Sequence, residues 1–300
     1  VKEGGMLPED FDGASKETVL TAEKGSHYTI TIPHGKDARL VIDVQAEEGA
    51  SAAFLFRLEK GASLSLTWKL TGGDREGTCV LAAYYELAED ARLHVSRLES
   101  GLTKTVIYDQ RHSVLAARAR ADFYAAELGG ETVIVHSYGK LSGDASEMNE
   151  RAIHAGRGRQ HLDFFYHIDH VGKKSKAEID LKGALADESK KIFRGTLDFK
   201  RGCAGSVGDE GDFAIQLDPK TKNISLPLLL CTEDDVQGNH ASSAGQLDQN
   251  TIYFLMSRGF TLEEARRIVV EALIRPIIDG MDEALREEVL NAVRMKLDRE

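Results

Sequence analysis

The chain has 300 residues and a formal net charge of −11, and 42% of its residues are hydrophobic. This is ordinary for a globular protein with a sizeable core. The negative charge disfavours nucleic acid and anionic membrane surfaces as partners, and no apolar run approaches the ~20 residues that span a bilayer. Cys79, Cys203 and Cys231 are far apart and form no CxxC pair. They predict a reduced, cytoplasmic protein with neither a zinc knuckle nor a disulfide framework.

Short segments of alternating polarity follow one another from Tyr28 to Leu230, with turn residues between them. A period of two places successive side chains on opposite faces of a sheet. The turns repeat weakly, because Gly61-Ala62-Ser63 and Glu89-Asp90-Ala91 occupy equivalent places. Both a β-sandwich and a β-helix of stacked coils produce such a pattern. The β region is about two hundred residues long, more than the ~100 of a usual sandwich, and this favours the β-helix.

After residue 246 the apolar pattern takes the period of a helix. Asp248 is placed to N-cap a short helix that ends at Gly259. Thr261 and Glu264 form a capping box that opens a second helix, and Pro276 is expected to break or kink it. The predicted apolar face of the second helix contains Ala265, Ile268, Val269, Ala272 and Leu273, and that of the last helix contains Leu285, Val289, Ala292, Val293 and Met295. The predicted divisions are an N-terminal segment (1–24), a β-helix domain (25–246) and a C-terminal helical segment (247–300).

Five sequence blocks in the second half of the chain resemble the SufB and SufD family of iron–sulfur cluster assembly proteins. They have the order and spacing of the family, and they comprise residues 192–197, 231–240, 245–248, 253–259 and 263–266. The longer N-terminal helical region of the family is not matched. The chain is therefore similar to a short, SufD-like member.

The resemblance implies a mainly β protein, a right-handed parallel β-helix with a small C-terminal helical segment. It implies that the β-helix pairs with a SufB-like subunit or with an identical one, and that the C-terminal helices dock a SufC-like ABC ATPase. A transient iron–sulfur cluster would then form at a subunit interface. The chain has no GxxxxGK[ST] phosphate-binding loop, so a partner must supply any ATP chemistry. We therefore expect a scaffold that is not an enzyme and that has no intrinsic cofactor.

His240 matches the histidine that the family carries after its acidic stretch, where it is implicated in cluster assembly. Imidazole is a suitable iron ligand, and the alternative is a histidine hydrogen-bonded at a strand end. Two departures from SufB put independent cluster binding in doubt. Asp212-Phe213-Ala214 lies where SufB has its assembly cysteine, and Ala241 replaces a glutamate.

The cysteines offer a second candidate for iron or persulfide chemistry. Cys203 lies at a glycine-rich corner and is expected to be exposed. Cys231 ends the apolar run 228–230 and is expected to be a buried strand thiol.

A histidine-rich strand and an aromatic helical surface are two further candidates. On a strand over 161–170, one face presents His161, Asp163, Phe165, His167 and Asp169, and the other presents Leu162, Phe164, Tyr166, Ile168 and His170. The first face is either a divalent-metal site or a solvated surface. In the helical segment, Tyr253, Phe254 and Phe260 exceed what one small apolar face can cover. They are expected, with Leu273, to contact the ATPase.

The sequence leaves two rival functions open. β-Helix proteins include polysaccharide-active enzymes, and Glu233-Asp234-Asp235 could supply paired catalytic carboxylates. Three adjacent acids are also typical of a solvated turn. The second rival is a purely structural oligomerisation module, which shares every feature of the scaffold except chemistry at His240.

Overall fold

In the computed structural model, which describes residues 2–3, 7–8, 11, 16–46 and 49–297, the chain winds back and forth between two sheets. Sheet A contains, in spatial order, β1 (Lys2–Glu3), β2 (Ser26–Ile32), β4 (Gly49–Leu58), β6 (Gly77–Leu87), β8 (Thr105–Leu115), β10 (Thr132–Leu141), β12 (His161–His170), β14 (Lys190–Phe199) and β16 (Lys222–Cys231). Sheet B contains β3 (Asp37–Gln45), β5 (Ser63–Gly72), β7 (Arg92–Gly101), β9 (Arg120–Glu127), β11 (Glu147–Gly156), β13 (Lys176–Leu185), β15 (Ser206–Gln216) and β17 (Val236–Gln246).

Successive coils stack in register. Thr132 lies beside His161, and His161 lies beside Lys190, a spacing of 29 residues. From β2 to β16 and from β3 to β17 every described pairing is parallel, and only β1 pairs antiparallel, with β2. The predicted parallel β-solenoid is confirmed, and the β-sandwich is excluded because sandwich sheets are antiparallel.

The corners between the sheets also stack, and they need left-handed backbone. Gly61, Asp90 and Arg118 have φ values of 66°, 61° and 57°. The Gly61 N–H donates to the Glu89 carbonyl at 2.9 Å, and the Asp90 N–H donates to the Ala117 carbonyl at 3.1 Å. Glycine adopts this conformation freely, whereas other residues tolerate it at a cost of about 1–2 kcal/mol. The stacked hydrogen bonds offset that cost, which explains why only some corners contain glycine.

Alternate residues of each strand fill the space between the sheets. On β12, Leu162, Phe164, Tyr166 and Ile168 are at most 1% exposed, as predicted. Their neighbours His161, Asp163, Phe165 and His167 face outward and are only half-buried. The period-two pattern therefore identified both faces of this strand correctly.

The four described helices are α1 (Lys16–Glu23), α2 (Gln249–Ser257), α3 (Leu262–Asp279) and α4 (Glu283–Leu297). None of the described helices is long and apolar enough to cross a bilayer. Asp248 N-caps α2, and Thr261 and Glu264 form the predicted capping box of α3. Of the break or kink expected at Pro276, the break is wrong, because α3 continues to Asp279. Burial of the residues around Pro276 offsets the one backbone hydrogen bond that proline cannot make.

The C-terminal helices pack on the outer face of sheet B at the middle of the solenoid. Their contact contains Ile274, Ile277 and Ile278 of α3 and Leu285, Val289, Leu290 and Val293 of α4, against Leu98, Ala126, Leu128, Ile153 and Ala155. The predicted apolar face of α3 is therefore partly wrong. Val270 is buried, whereas Val269 and Leu273 are half-buried and Ala272 is exposed. Met295 is 79% exposed and does not belong to the apolar stripe of α4.

Charged side chains occupy part of the solenoid interior, which the apolar pattern did not predict. Arg111 Nη2 lies 2.6 Å from Asp109 Oδ2 and 2.7 Å from Glu127 Oε1, and Arg97 Nη2 lies 2.6 Å from the same Asp109 oxygen. All four side chains are at most 2% exposed. Burial lowers the pKa of Arg111, but the neighbouring carboxylates outweigh it and hold that pKa well above its ordinary value. The pairing compensates charges that would be very costly to bury singly.

Glu150 lies beside this network and accepts a hydrogen bond of 2.5 Å from Ser137 Oγ. Burial, opposed by the charge of Arg111, raises the pKa of Glu150 from 4.5 to about 7. The folded state therefore holds this proton more tightly than the unfolded state does. The resulting stabilisation is present below pH 4.5 and is lost as the pH rises towards 7.

We predict that the Glu150→Gln variant becomes more stable relative to the parent chain as the pH rises. Glutamine keeps the shape and cannot ionise, so the difference in unfolding free energy should shift by roughly 2–3 kcal/mol between pH 5 and pH 8. Urea unfolding at the two pH values measures it. Glu147→Gln, on the outer face of the same strand, is the control. A pH-independent difference for Glu150→Gln would contradict the assignment.

Candidate functional site

The last coil of the solenoid, formed by β16 and β17, has an open side. In the described chain, each of these strands has a hydrogen-bonded neighbour on one side only. Their inward-facing residues are therefore not covered by a further coil. On β16 these are Asn223, Ser225, Pro227, Leu229 and Cys231, and on β17 they are Gly238, His240, Ser242, Ala244 and Gln246, as the register with the preceding coil requires.

His240 lies on this open rim. It is exposed, and it stands in register beside Glu210 of β15. Neighbouring strands are about 4.8 Å apart, so the two side chains stack on the same inward face. The residue lies in the middle of β17, which disfavours the alternative of a histidine hydrogen-bonded at a strand end.

Acidic side chains form the floor beneath His240. Glu210 is 4% exposed, and neither of its carboxylate oxygens has a hydrogen-bond partner among the described residues. Burial and the nearby charge of Asp212 raise the pKa of Glu210 to about 7. Asp212 itself forms a fully buried ion pair with Lys191. Burial lowers the pKa of Lys191, and its attraction to Asp212 opposes this.

Gly195 makes room for the Glu210 carboxylate. A Cβ atom at this position would lie 2.0 Å from Glu210 Oε1, far inside van der Waals contact. The glycine belongs to block 192–197, which carries part of the family resemblance. The position of the Glu210 carboxylate thus depends on a glycine whose role no local sequence pattern indicates.

Both predicted exposures of the cysteines are wrong. Cys203 is buried and Cys231 is exposed. The N–H of Cys203 donates to the carbonyl of Lys200, the turn contact that Ala62 makes in an earlier coil, and both side chains are completely buried. Cys231 faces inward in the last coil beside Phe199, and it stays exposed because no further coil covers it.

The outward face of β12 brings together part of the predicted metal site. Ligand atoms of His167, Asp169 and Asp198 all lie within 4.8 Å of one another. His167 Nε2 is 3.0 Å from Asp169 Oδ1, and the Lys200 ammonium contacts both carboxylates. Burial would raise the pKa of Asp169, but hydrogen bonds from His167 and Tyr138 lower it to about 2. Hydrogen bonds and ion pairs with other protein groups therefore already engage the polar atoms of this cluster.

The other two members of that predicted site lie apart from it. Asp163 pairs with Arg194, and His161 does not belong to the described cluster. The outward row of β12 is therefore divided among separate contacts.

The helical segment presents an exposed aromatic patch, Tyr253, Phe254 and Phe260, which are 76%, 55% and 42% exposed. All three rings are accessible to a partner, and their contact with an ATPase stays a prediction. Met256 and Leu262 extend the apolar surface, whereas Leu273 is half-buried. Arg258 lies over the Phe254 ring at 5.0 Å. The patch lies on α2 and the connection to α3, away from the α3–α4 residues that pack on sheet B.

Glu233 has a turn-capping role. It accepts a hydrogen bond of 2.8 Å from the Gly202 N–H and one of 3.1 Å from the Asp234 N–H. These backbone donors lower the pKa of Glu233, whereas a glycosidase general acid needs a raised pKa. The geometry therefore favours the solvated turn over paired catalytic carboxylates.

Comparison with known proteins identifies the family. The family model described as "SUF system FeS cluster assembly, SufBD core domain" matches residues 40–273. The chain belongs to the SufBD core domain family. It is 28% identical over 204 residues to the iron-sulfur cluster assembly protein SufD of Bacillus subtilis (strain 168), covering 68% of this chain and 46% of that protein.

A second SufD matches the chain with similar identity and coverage. The chain is 20% identical over 210 residues to the iron-sulfur cluster assembly protein SufD of Escherichia coli (strain K12), covering 69% of this chain and 50% of that protein. The chain thus spans about half the length of the curated relatives it matches. The predicted membership of the SufB/SufD family is confirmed.

Sequence reasoning missed the apolar outer row of β16. Ile224, Leu226, Leu228 and Leu230 face outward and are 39%, 54%, 48% and 39% exposed. The continuous apolar run 226–230 gives no sign, by its composition alone, that half of its side chains are exposed. Alternation along the strand could have shown that half of these side chains must leave the core.

Proposed function

We propose that the chain is a non-catalytic scaffold subunit of a cytoplasmic SUF-type iron–sulfur cluster assembly complex. The observation that carries the proposal is the open last coil, in which His240 stands on the exposed rim within the family's own sequence block. In this proposal the subunit pairs through that coil and docks a SufC-like ABC ATPase through its C-terminal helices.

Pairing through the last coil is supported by its edges and by its outer surface. β16 and β17 each leave one backbone edge without a strand partner in the described chain, and such edges readily pair with another chain. The exposed row of Ile224, Leu226, Leu228 and Leu230 supplies apolar area next to that edge. We propose a SufB-like or an identical β-helix subunit as the partner.

Docking of the ATPase is supported by the aromatic patch. Aromatic side chains are enriched at the centres of interfaces, where a few of them dominate the binding free energy. The α3–α4 packing on sheet B holds α2 on a fixed support. Deleting residues 248–300 would uncover that part of sheet B, so substitution is a cleaner test than truncation.

Cluster chemistry is proposed at His240, with iron and sulfur as cargo. Imidazole binds iron as a neutral donor, and the exposed rim leaves it accessible to a paired subunit. Cys203 is a weaker candidate than the sequence indicated, because its side chain is fully buried.

We predict that His240→Ala leaves folding and complex formation intact and lowers cluster assembly by the reconstituted complex about tenfold or more, the usual cost of losing a metal contact. Absorbance of the forming cluster follows the rate, and size-exclusion chromatography checks the complex. His34→Ala, an exposed histidine before β3, is the control. An unchanged rate in an intact complex would favour the purely structural oligomerisation module.

We predict that Phe254→Asp weakens binding of the cognate ATPase by about tenfold or more, since interface anchors contribute more than 1 kcal/mol each. The melting temperature should change little because the ring is 55% exposed. Isothermal titration measures the affinity. Val41→Asp, 60% exposed on β3 at the far end of the solenoid, is the matched control. Equal loss in both variants, or loss in neither, would place the interface elsewhere.

A further inference from the structure

Glu210 is a buried carboxylate that the fold leaves without compensation. It is 4% exposed, and both of its oxygens lack hydrogen-bond partners among the described residues. Lys191 is fully buried and is already engaged by Asp212. Buried carboxylates are normally paired or bind a metal, because the desolvation cost is otherwise unmet. An unpaired buried carboxylate such as Glu210 is suited to bind a cationic ligand.

The inward face of the last two coils carries further unpaired acceptors and is open on one side. Asp212 Oδ2, Ser225 Oγ and Asn223 Oδ1 are also buried without hydrogen-bond partners in the described chain. All of these residues face inward in the last two coils. A group of orphaned oxygens under an uncovered coil favours a cation over an anion.

The register then places Glu210 beside His240. The two residues pair directly between β15 and β17, so one imidazole and one carboxylate share the inward face at the rim. Glu210 also bears on the glutamate that SufB carries after its histidine and that Ala241 replaces in this chain. Stacking of the coils supplies a carboxylate next to His240 from 30 residues earlier in the chain.

We infer that Glu210 is a second protein ligand, beside His240, for a divalent iron ion that enters the open last coil. Mixed imidazole and carboxylate ligands suit iron in this oxidation state. The inference rests on the proposed function, and it adds to it a protein ligand and a cargo class for the same site. The two ligands leave coordination positions free for groups of a paired subunit.

Titration of the purified full-length chain with Co²⁺ tests the inference, because the visible absorption of Co²⁺ reports its ligand set. The variants are Glu210→Gln, His240→Ala and a control, Asp209→Asn. Asp209 is exposed, lies on the outer face of the same strand, and accepts a hydrogen bond of 2.8 Å from Asn239. Repeating each titration with His167→Ala removes any signal from the outward cluster on β12.

We expect Glu210→Gln to weaken Co²⁺ binding by more than about tenfold, which is the lower end of what even outer-sphere partners contribute, and to change the absorption bands. Asp209→Asn should bind like the parent chain. Unchanged binding by Glu210→Gln with loss in His240→Ala would overturn the inference and leave the proposed function standing. Unchanged binding by both variants, or no saturable binding by the parent chain, would also overturn it. Pairing and ATPase docking are measured without metal. A failure of the proposed function in those measurements is therefore distinguishable from a failure of the metal-ligand inference.

Discussion

Parallel, in-register hydrogen bonding between successive coils is the constraint on which the rest of the structure depends. Each coil satisfies the backbone edge of the coil before it and covers the inward side chains of that coil. A stacked array of this kind ends with an edge that nothing satisfies. Because β16 and β17 form that end in the described chain, the exposed rim at His240 follows directly from the stacking.

Facing strands of the two sheets explain how the solenoid tolerates charge in its interior. Arg97 of β7 reaches Asp109 of β8 across the interior, and Glu127 of β9 reaches Arg111, which lies two residues after Asp109 on β8. Buried ion pairs contribute little net stability, but removing one member leaves a costly unpaired charge. The ion pairs around Asp109 and Arg111 compensate one another, whereas the carboxylates of Glu99 in the middle coils and of Glu210 at the open end have no hydrogen-bond partner among the described residues.

The sequence predicted those features that depend on local periodicity. The inward row Leu162, Phe164, Tyr166 and Ile168 and the capping box at Thr261 were correct because both depend on residues close in the chain. The two cysteines were misplaced because their burial depends on the position of their coils in the stack. The face of α3 was not predictable from the pattern because Ile268, Val269 and Val270 are consecutive and apolar, and only the tertiary packing that buries Val270 selects among them.

The candidate site was only partly accessible from the sequence. The family blocks drew attention to His240, but Glu210 lies in the run Gly208-Asp209-Glu210-Gly211, which resembles a turn. Only the register between β15 and β17 brings the two residues together. Side chains separated by about thirty residues cannot be matched without knowing the length of each corner.

Hydrogen–deuterium exchange, with and without the paired β-helix subunit, tests most directly whether the open last coil is the pairing surface. Backbone amides on an unpaired edge exchange with solvent and become protected when another strand or surface covers them. Pairing through this end predicts slower exchange in Lys222–Cys231 and Val236–Gln246, with no change in Asp37–Gln45 at the opposite end. Protection confined to Asp37–Gln45, or a stable complex with unchanged exchange in the last coil, would contradict the account.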